Sequence, residues 1–256
     1  MEKEAELSQE IVYLADLTWE AFRDRVPSRT DLVFLPVGTL EAHGAIPLGT
    51  DTLLPLRLAE RLAPRFGALI APPVPYGVTN SLLPYPGSTT VSSKTFEAYL
   101  FEAAAGLVDA GFRRVVLLNG HGGQSREVGS VVGRLWNEKK AFAAAVEWWG
   151  LVEEVSREVY GEHTPAHAGV EETALVLAVA PQLVDLSRAR SIRRAARRQG
   201  LMARPFPASV ILEREEKHGD GAPILDPERA GQFFEKTILA LAALLEELFE
   251  GWRELR

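Results

Sequence analysis

Glu41, His43 and Asp51 fall within one short stretch, Gly38-Thr-Leu-Glu-Ala-His-Gly-Ala-Ile-Pro-Leu-Gly-Thr-Asp51. A carboxylate, an imidazole and a second carboxylate on a loop fixed by Gly and Pro could converge on a divalent cation. A polar surface loop would carry the same residues, so further ligands must come from elsewhere. Asn119-Gly-His121-Gly-Gly123 is the second group: three glycines let the backbone turn tightly around one imidazole and present it. Glycine-rich turns also cradle phosphates. This one, however, matches neither Gly-x-Gly-x-x-Gly nor a Walker loop, and no Gly-Lys-Ser/Thr follows. The third group is His163-Thr-Pro-Ala-His167-Ala-Gly-Val-Glu171-Glu172. His163 and His167 have the spacing of a zincin helix, but Pro165 between them disfavours a helix there. His167 instead precedes a helix with Glu171 and Glu172 in its first turn. Adjacent helical residues point about 100° apart, so one glutamate can face a site while the other faces solvent. Glu171 reads better as a complement to the helix dipole. The three groups suffice for two metals about 3.5–4 Å apart with one bridging carboxylate.

The 256 residues contain no cysteine, which excludes disulfides, thiolate zinc sites and cysteine nucleophiles. Any metal must be held by His, Asp and Glu, a donor set suited to zinc, manganese or iron. No Gly-x-Ser-x-Gly elbow is present, which leaves a metal-activated water as the natural nucleophile. A net charge of −7 with mixed signs argues against nucleic acid or an anionic membrane as partner. The basic cluster Arg193-Arg194-Ala-Ala-Arg197-Arg198 reads as a solvated helix face. The acidic start, Met1 to Leu7, is unlike a signal peptide, and no apolar run approaches a membrane span. A single cytoplasmic domain over 1–256 is expected, since no linker-like or low-complexity segment interrupts the chain.

The elements that must position these groups alternate between strand and helix. A short helix is expected from near Thr18 to Arg25, then a buried strand at 32–36 that Gly38 punctuates. A helix capped by Asp51 or Thr52 and ended by Gly67 leads to a second strand at 68–74. Tyr76 to Gly87 is a long loop of the kind that is often functional. A helix capped by Ser92 or Ser93 runs to about Ala110, the strand 114–118 enters the glycine turn, and a helix covers 125–139. Further expectations are a strand at 141–149, a buried helix ended by Pro181, and a final amphipathic helix from Pro227 towards Leu248. Its core positions are read as Leu239, Leu241, Leu244 and Leu245. This alternation predicts a mainly parallel sheet covered on both faces.

Gly38-Thr-Leu-Glu41-Ala-His43-Gly44 with Pro47-Leu-Gly-Thr-Asp51, Asn119-Gly-His121-Gly-Gly123, and His167-Ala-Gly-x-x-Glu172-Thr173 resemble the creatininase (creatinine amidohydrolase) family. Tyr85-Pro-Gly87, Gly219-Asp-Gly and the helix with Ala230-Gly231 extend the likeness over nearly the whole chain. The resemblance implies a three-layer α/β/α fold, two divalent metal ions and a homo-oligomer, with a hexamer as one size. By residue it implies Glu41 and His121 on one metal, His43 on the other and Asp51 between them. The family's further carboxylate, two residues after the glycine-loop His, is Gly123 here, and Glu172 is expected to replace it. His167 matches the proton-transfer histidine, with Glu172 the other candidate for that chemistry. Trp148, Trp149, Gly122 and Gly123 are expected at the substrate. The first loop is one residue shorter than the family's common pattern and lacks its second His, and Leu82 and Leu83 are apolar where many members are polar. Creatinine is therefore not the expected substrate. The expected activity is hydrolysis of a C–N amide bond in a cyclic amide, formamide or related small molecule. The rival expectations are a nucleotide- or sugar-phosphate-binding protein using Asn119 to Gly123, and a catalytically silent oligomeric member.

Overall fold

The structure is a computed structural model, and it describes residues 11–162, 167–188, 191–193, 212–214 and 225–255. Four parallel strands form the central sheet: β1 (Leu32–Val37), β2 (Leu69–Ile70), β3 (Arg114–Asn119) and β4 (Phe142–Glu147), in the order β2-β1-β3-β4. The helices are α1 (Trp19–Arg23), α2 (Thr50–Phe66), α3 (Ser93–Asp109), α4 (Ser125–Lys139), α5 (Glu153–Tyr160), α6 (Val170–Val179) and α7 (Pro227–Glu254). β5 (Ser191–Arg193) and β6 (Leu212–Arg214) form a separate antiparallel pair.

Strand alternation sorts the sheet's side chains into two layers. Leu32 and Phe34 of β1, with Val116 and Leu118 of β3, face α2, α6 and α7. Val33, Leu35, Val37, Val115 and Leu117 face α3 and α4. Because both faces are covered, the central strands read as continuous apolar runs, and burying each such side chain contributes about 1.5–3 kcal/mol. The expected α/β/α layering is what forms.

Strand order places the site. The chain steps from β1 outward to β2, then returns to lay β3 on the other side of β1, so the connections diverge between β1 and β3. Open α/β sheets bind ligands beyond the carboxyl ends of strands at such a switch point. β1 and β3 also end level, with Val37 opposite Asn119, so their loops leave at one height.

Several elements differ from the sequence expectations. β2 is only two residues, and Val74 adds an isolated bridge to Val37 because Pro72 and Pro73 supply no backbone N–H. α2 is preceded by Gly49, not capped by Asp51 or Thr52, which places Asp51 inside the first turn. Ser92 does cap α3, accepting from Thr95 N at 3.2 Å. In α7 the buried stripe is Phe234, Ile238, Leu241, Leu245, Phe249 and Trp252, while Leu239 is 57% and Leu244 37% exposed. Asp226 caps this helix through Arg229 N, and the apolar stripe recurs every three or four residues. His163, most of the basic cluster at 193–198 and Gly219-Asp-Gly lie outside the described residues.

Candidate metal centre

The loop after β1 delivers Glu41 and His43, α2 delivers Asp51, the loop after β3 delivers His121, the turn before α6 delivers His167 and the first turn of α6 delivers Glu172. Glu41, His43 and Asp51 are each no more than 2% exposed and His121 is 9%. Two glycines make the convergence possible. A Cβ at Gly38 would lie 2.4 Å from the Asp51 carbonyl oxygen, and one at Gly120 would lie 1.9 Å from it. No other residue lets the first turn of α2 settle between the ends of β1 and β3. Gly123 has a similar cause: its Cβ would stand 2.3 Å from His121 Nε2. Close packing thus accounts for Gly120 and Gly123 of the glycine turn without a phosphate.

Each histidine is anchored by a backbone carbonyl. His43 Nδ1 donates to Glu41 O at 2.9 Å, His121 Nε2 to Val78 O at 3.1 Å, and His167 Nε2 to Ala42 O at 2.7 Å. These bonds fix the tautomers of the neutral rings, leaving His43 Nε2, His121 Nδ1 and His167 Nδ1 with free lone pairs. The lone pairs face carboxylates. His43 Nε2 lies 2.9 Å from Asp51 Oδ1, and His121 Nδ1 lies 3.0 Å from Asp51 Oδ2 and 3.3 Å from Glu41 Oε1. His167 Nδ1 is 3.5 Å from Glu41 Oε1, and its ring sits 4.3 Å from that of His43.

Electrostatics follow from this crowding. Burial opposes an imidazolium at His43, but the Asp51 carboxylate outweighs it and pushes the ring up to about 9. His121 is likewise opposed by burial and raised by Asp51 and Glu41, to about 10. Burial would raise Asp51, yet the two histidines hold it at about 2. Burial lifts Glu172 above the usual carboxylate range, partly countered by His43 and His167.

The donor set fits a divalent metal. His43 Nε2 lies 2.9 Å from Asp51 Oδ1, yet both His43 Nε2 and Asp51 Oδ2 are buried without a hydrogen-bond partner. Orphaned buried acceptors with imidazole and carboxylate neighbours are what an N/O-ligated cation would satisfy. Among the described residues, three groups bring ligand atoms within 4.8 Å of one another: Glu41, Asp51 and His121; His43, Asp51 and Glu172; and Glu41, His43 and His167. The six residues therefore do assemble.

Other expected site residues fall differently. Trp149 stands beside Gly122, where a Cβ would meet its ring at 3.8 Å, so this pair borders the site. Trp148 is 2% exposed and packs in the core beneath Trp149. Glu171 does not face solvent as a dipole complement: it is 5% exposed and accepts from Ser156 Oγ at 2.9 Å. Glu172 takes the inward face, with Oε2 accepting from Ala168 N at 2.5 Å. Sequence reasoning missed Thr39, Thr79 and Gln124, all fully buried around the ligands. Their bonds to Gly77, Glu41 and Gly38 span 38 to 86 residues, so no local pattern marks those links.

An α/β/α sandwich with carboxylates and imidazoles converging at its switch point defines the class of α/β proteins that carry a candidate metal site at the sheet's carboxyl edge. The creatinine amidohydrolase family profile matches residues 15–245. The chain belongs to the creatininase family and is an amidohydrolase of that family. Creatinine amidohydrolase of Pseudomonas putida is 31% identical over 195 residues, covering 69% of this chain and 75% of that protein. The 3-dehydro-scyllo-inosose hydrolase of Thermotoga maritima is 39% identical over 117 residues, 43% of this chain and 36% of that one. Among solved structures, a Zn–Zn form of a creatininase variant superposes with a TM-score of 0.81 at 28% identity, covering 94% of this chain and 99% of that one. A manganese form gives 0.80 at 26% identity with the same coverage.

Proposed function

We propose that the protein holds two divalent ions and hydrolyses a small cyclic or formyl amide. One observation carries the two-ion reading: two of the donor groups share Asp51 and nothing else. Glu41 and His121 would then hold one ion, His43 and Glu172 the other, and Asp51 would bridge them. Divalent ions, when bound, bring the pKa of a water towards neutrality and polarise a carbonyl oxygen. The protein contributes placement: three backbone-anchored imidazoles and a bridging carboxylate that cannot shift without moving α2. His167 is the proton carrier in this reading. Its side chain is 26% exposed, and Nδ1 can take a proton beside Glu41 and pass it to the leaving nitrogen. Trp149 and the bare backbone of Gly122 and Gly123 would form one wall for a flat substrate. Leu82 is buried and Leu83 is 41% exposed, so the neighbouring loop offers apolar surface in place of polar contacts. The ions are zinc, manganese or iron, since an all-N/O set accepts each. The relatives' names, a creatinine amidohydrolase and a 3-dehydro-scyllo-inosose hydrolase, support a small-molecule substrate. A homo-oligomer fits the exposed Trp19, Tyr99 and Trp136, and light scattering would test it. Among the described residues no helix is long and apolar enough to cross a membrane.

The test is metal content and activity together. Wild type should carry two ions per chain and hydrolyse members of a panel of lactams, formamides and short peptides, with chelator abolishing turnover. Asp51→Asn should lose metal. Chelator-resistant activity, or unchanged metal in Asp51→Asn, refutes the reading. Stabilisation by phosphate without metal would favour an anion-binding role instead.

A further inference from the structure

We propose that Thr79 is a positioning residue that selects which oxygen of Glu41 meets the cation. The inference rests on the reading of Glu41 as a metal ligand. Thr79 Oγ1 lies 3.0 Å from Glu41 Oε2, and Thr39 Oγ1 lies 3.1 Å from Thr79 Oγ1. Gly77 N donates to Thr39 Oγ1 at 3.3 Å. Thr39, Thr79 and Glu41 are all buried.

Chemistry fixes the direction of this chain. An ionised carboxylate only accepts, so Thr79 must donate to Glu41. Thr79 has then spent its proton, so Thr39 must donate to Thr79. Thr39 can in turn accept from the Gly77 peptide. A peptide N–H at one end and a carboxylate at the other leave no alternative arrangement, and each bond polarises the next. Oε2 is thereby committed, and Oε1 is the atom presented beside His121 Nδ1 at 3.3 Å.

The same segment serves the other ligand of that ion, because the carbonyl of Val78 anchors His121 Nε2. Val78 N donates to the buried Gln124 Oε1 at 3.3 Å, which holds the segment itself in place. Residues 77–79 therefore act on Glu41 and His121 and make no hydrogen bond to His43 or Glu172. Loss of Thr79 should weaken one ion selectively. Partners that orient metal ligands typically alter affinity by about 10–100-fold.

Chelator-treated wild type, Thr79→Val and Thr79→Ser would be titrated with Zn²⁺ by calorimetry. Thr79→Val should weaken one of two ions about 10–100-fold and leave the other unchanged, with Thr79→Ser restoring wild-type binding. A general loss of structure would weaken both ions and would not be rescued by serine. Wild-type affinity for both ions in Thr79→Val overturns the proposal. So does an equal loss at both ions. If wild type binds one ion only, the two-ion reading fails, but the affinity of Thr79→Val for that ion still decides the role of Thr79. If wild type binds none, both fall. Should Thr79→Val not fold, Thr79→Ala, which removes the donor and adds no metal ligand, is read by the same criteria.

Discussion

Asp51→Asn in the metal-free protein isolates the electrostatics of the centre from its chemistry. The substitution keeps the shape of a side chain that is 2% exposed and removes the charge between His43 and His121. Holding the carboxyl at about 2 instead of 3.8 corresponds to roughly 2–3 kcal/mol, at about 1.4 kcal/mol per pKa unit. For chains of this size each kcal/mol moves the unfolding midpoint about 2–4 °C, so the drop should be about 5–10 °C. The pH window follows from the partners. A depressed carboxyl contributes stability that is present above 3.8 and lost as pH falls through about 2. Raised histidines contribute stability that is full below 6.5 and lost as pH rises through about 9 for His43 and about 10 for His121. The penalty should therefore be full at pH 6 and shrink by pH 10.5, where neutral histidines no longer need the charge. Thermal unfolding of both chelator-treated proteins at the two pH values measures it. An equal drop at both, or none at pH 6, refutes the assigned charge pairing.

Three further outcomes are expected. Glu172→Gln should lower the occupancy of one ion, and elemental analysis showing both sites still filled would reject Glu172 as a ligand. His167→Ala should reduce kcat about 10²–10⁴-fold while metal content stays at the wild-type value, the signature of lost proton transfer. Gly120→Ala should cost about 1–3 kcal/mol of stability, because its methyl would stand 1.9 Å from the Asp51 carbonyl and 2.7 Å from Pro55 Cγ. An unchanged unfolding midpoint would mean that α2 is less tightly wedged than its contacts indicate.

Much of the candidate metal centre was legible because its residues sit in short motifs beside strand ends. β3 and the glycine turn read directly, since an aliphatic run passes straight into Asn119-Gly-His121. Helical phase was harder. In α7 apolar residues occur around most of the helix, so Leu239 and Leu244 could not be told from Leu241 and Leu245 until the packed face was known. Glu171 illustrates the same limit: a first-turn glutamate suggests a dipole complement, but the Ser156 hydroxyl of α5 provides a buried partner. Asp51 looked like a cap because its type favours caps; close approach at Gly38 and Gly120 instead goes with its place as second residue of the helix, after Thr50. The hydroxyls of Thr39 and Thr79 were invisible, as nothing local connects them to Glu41.

The origin of Glu172 has a consequence beyond chemistry. A ligand from the loop after β3 would leave an ion within the sheet's own connections. Glu172 instead begins α6, which packs against α7, while Asp185 N beyond α6 bonds Ala45 O in the first loop. On the proposed reading, an ion held by His43 and Glu172 would be a staple between the sheet and one helical layer. At a free concentration 100 times its Kd, such a ligand stabilises by about 2.7 kcal/mol. Metal supply would thus set the lifetime of the chain as well as its turnover, and starved molecules would be cleared by proteolysis sooner than loaded ones.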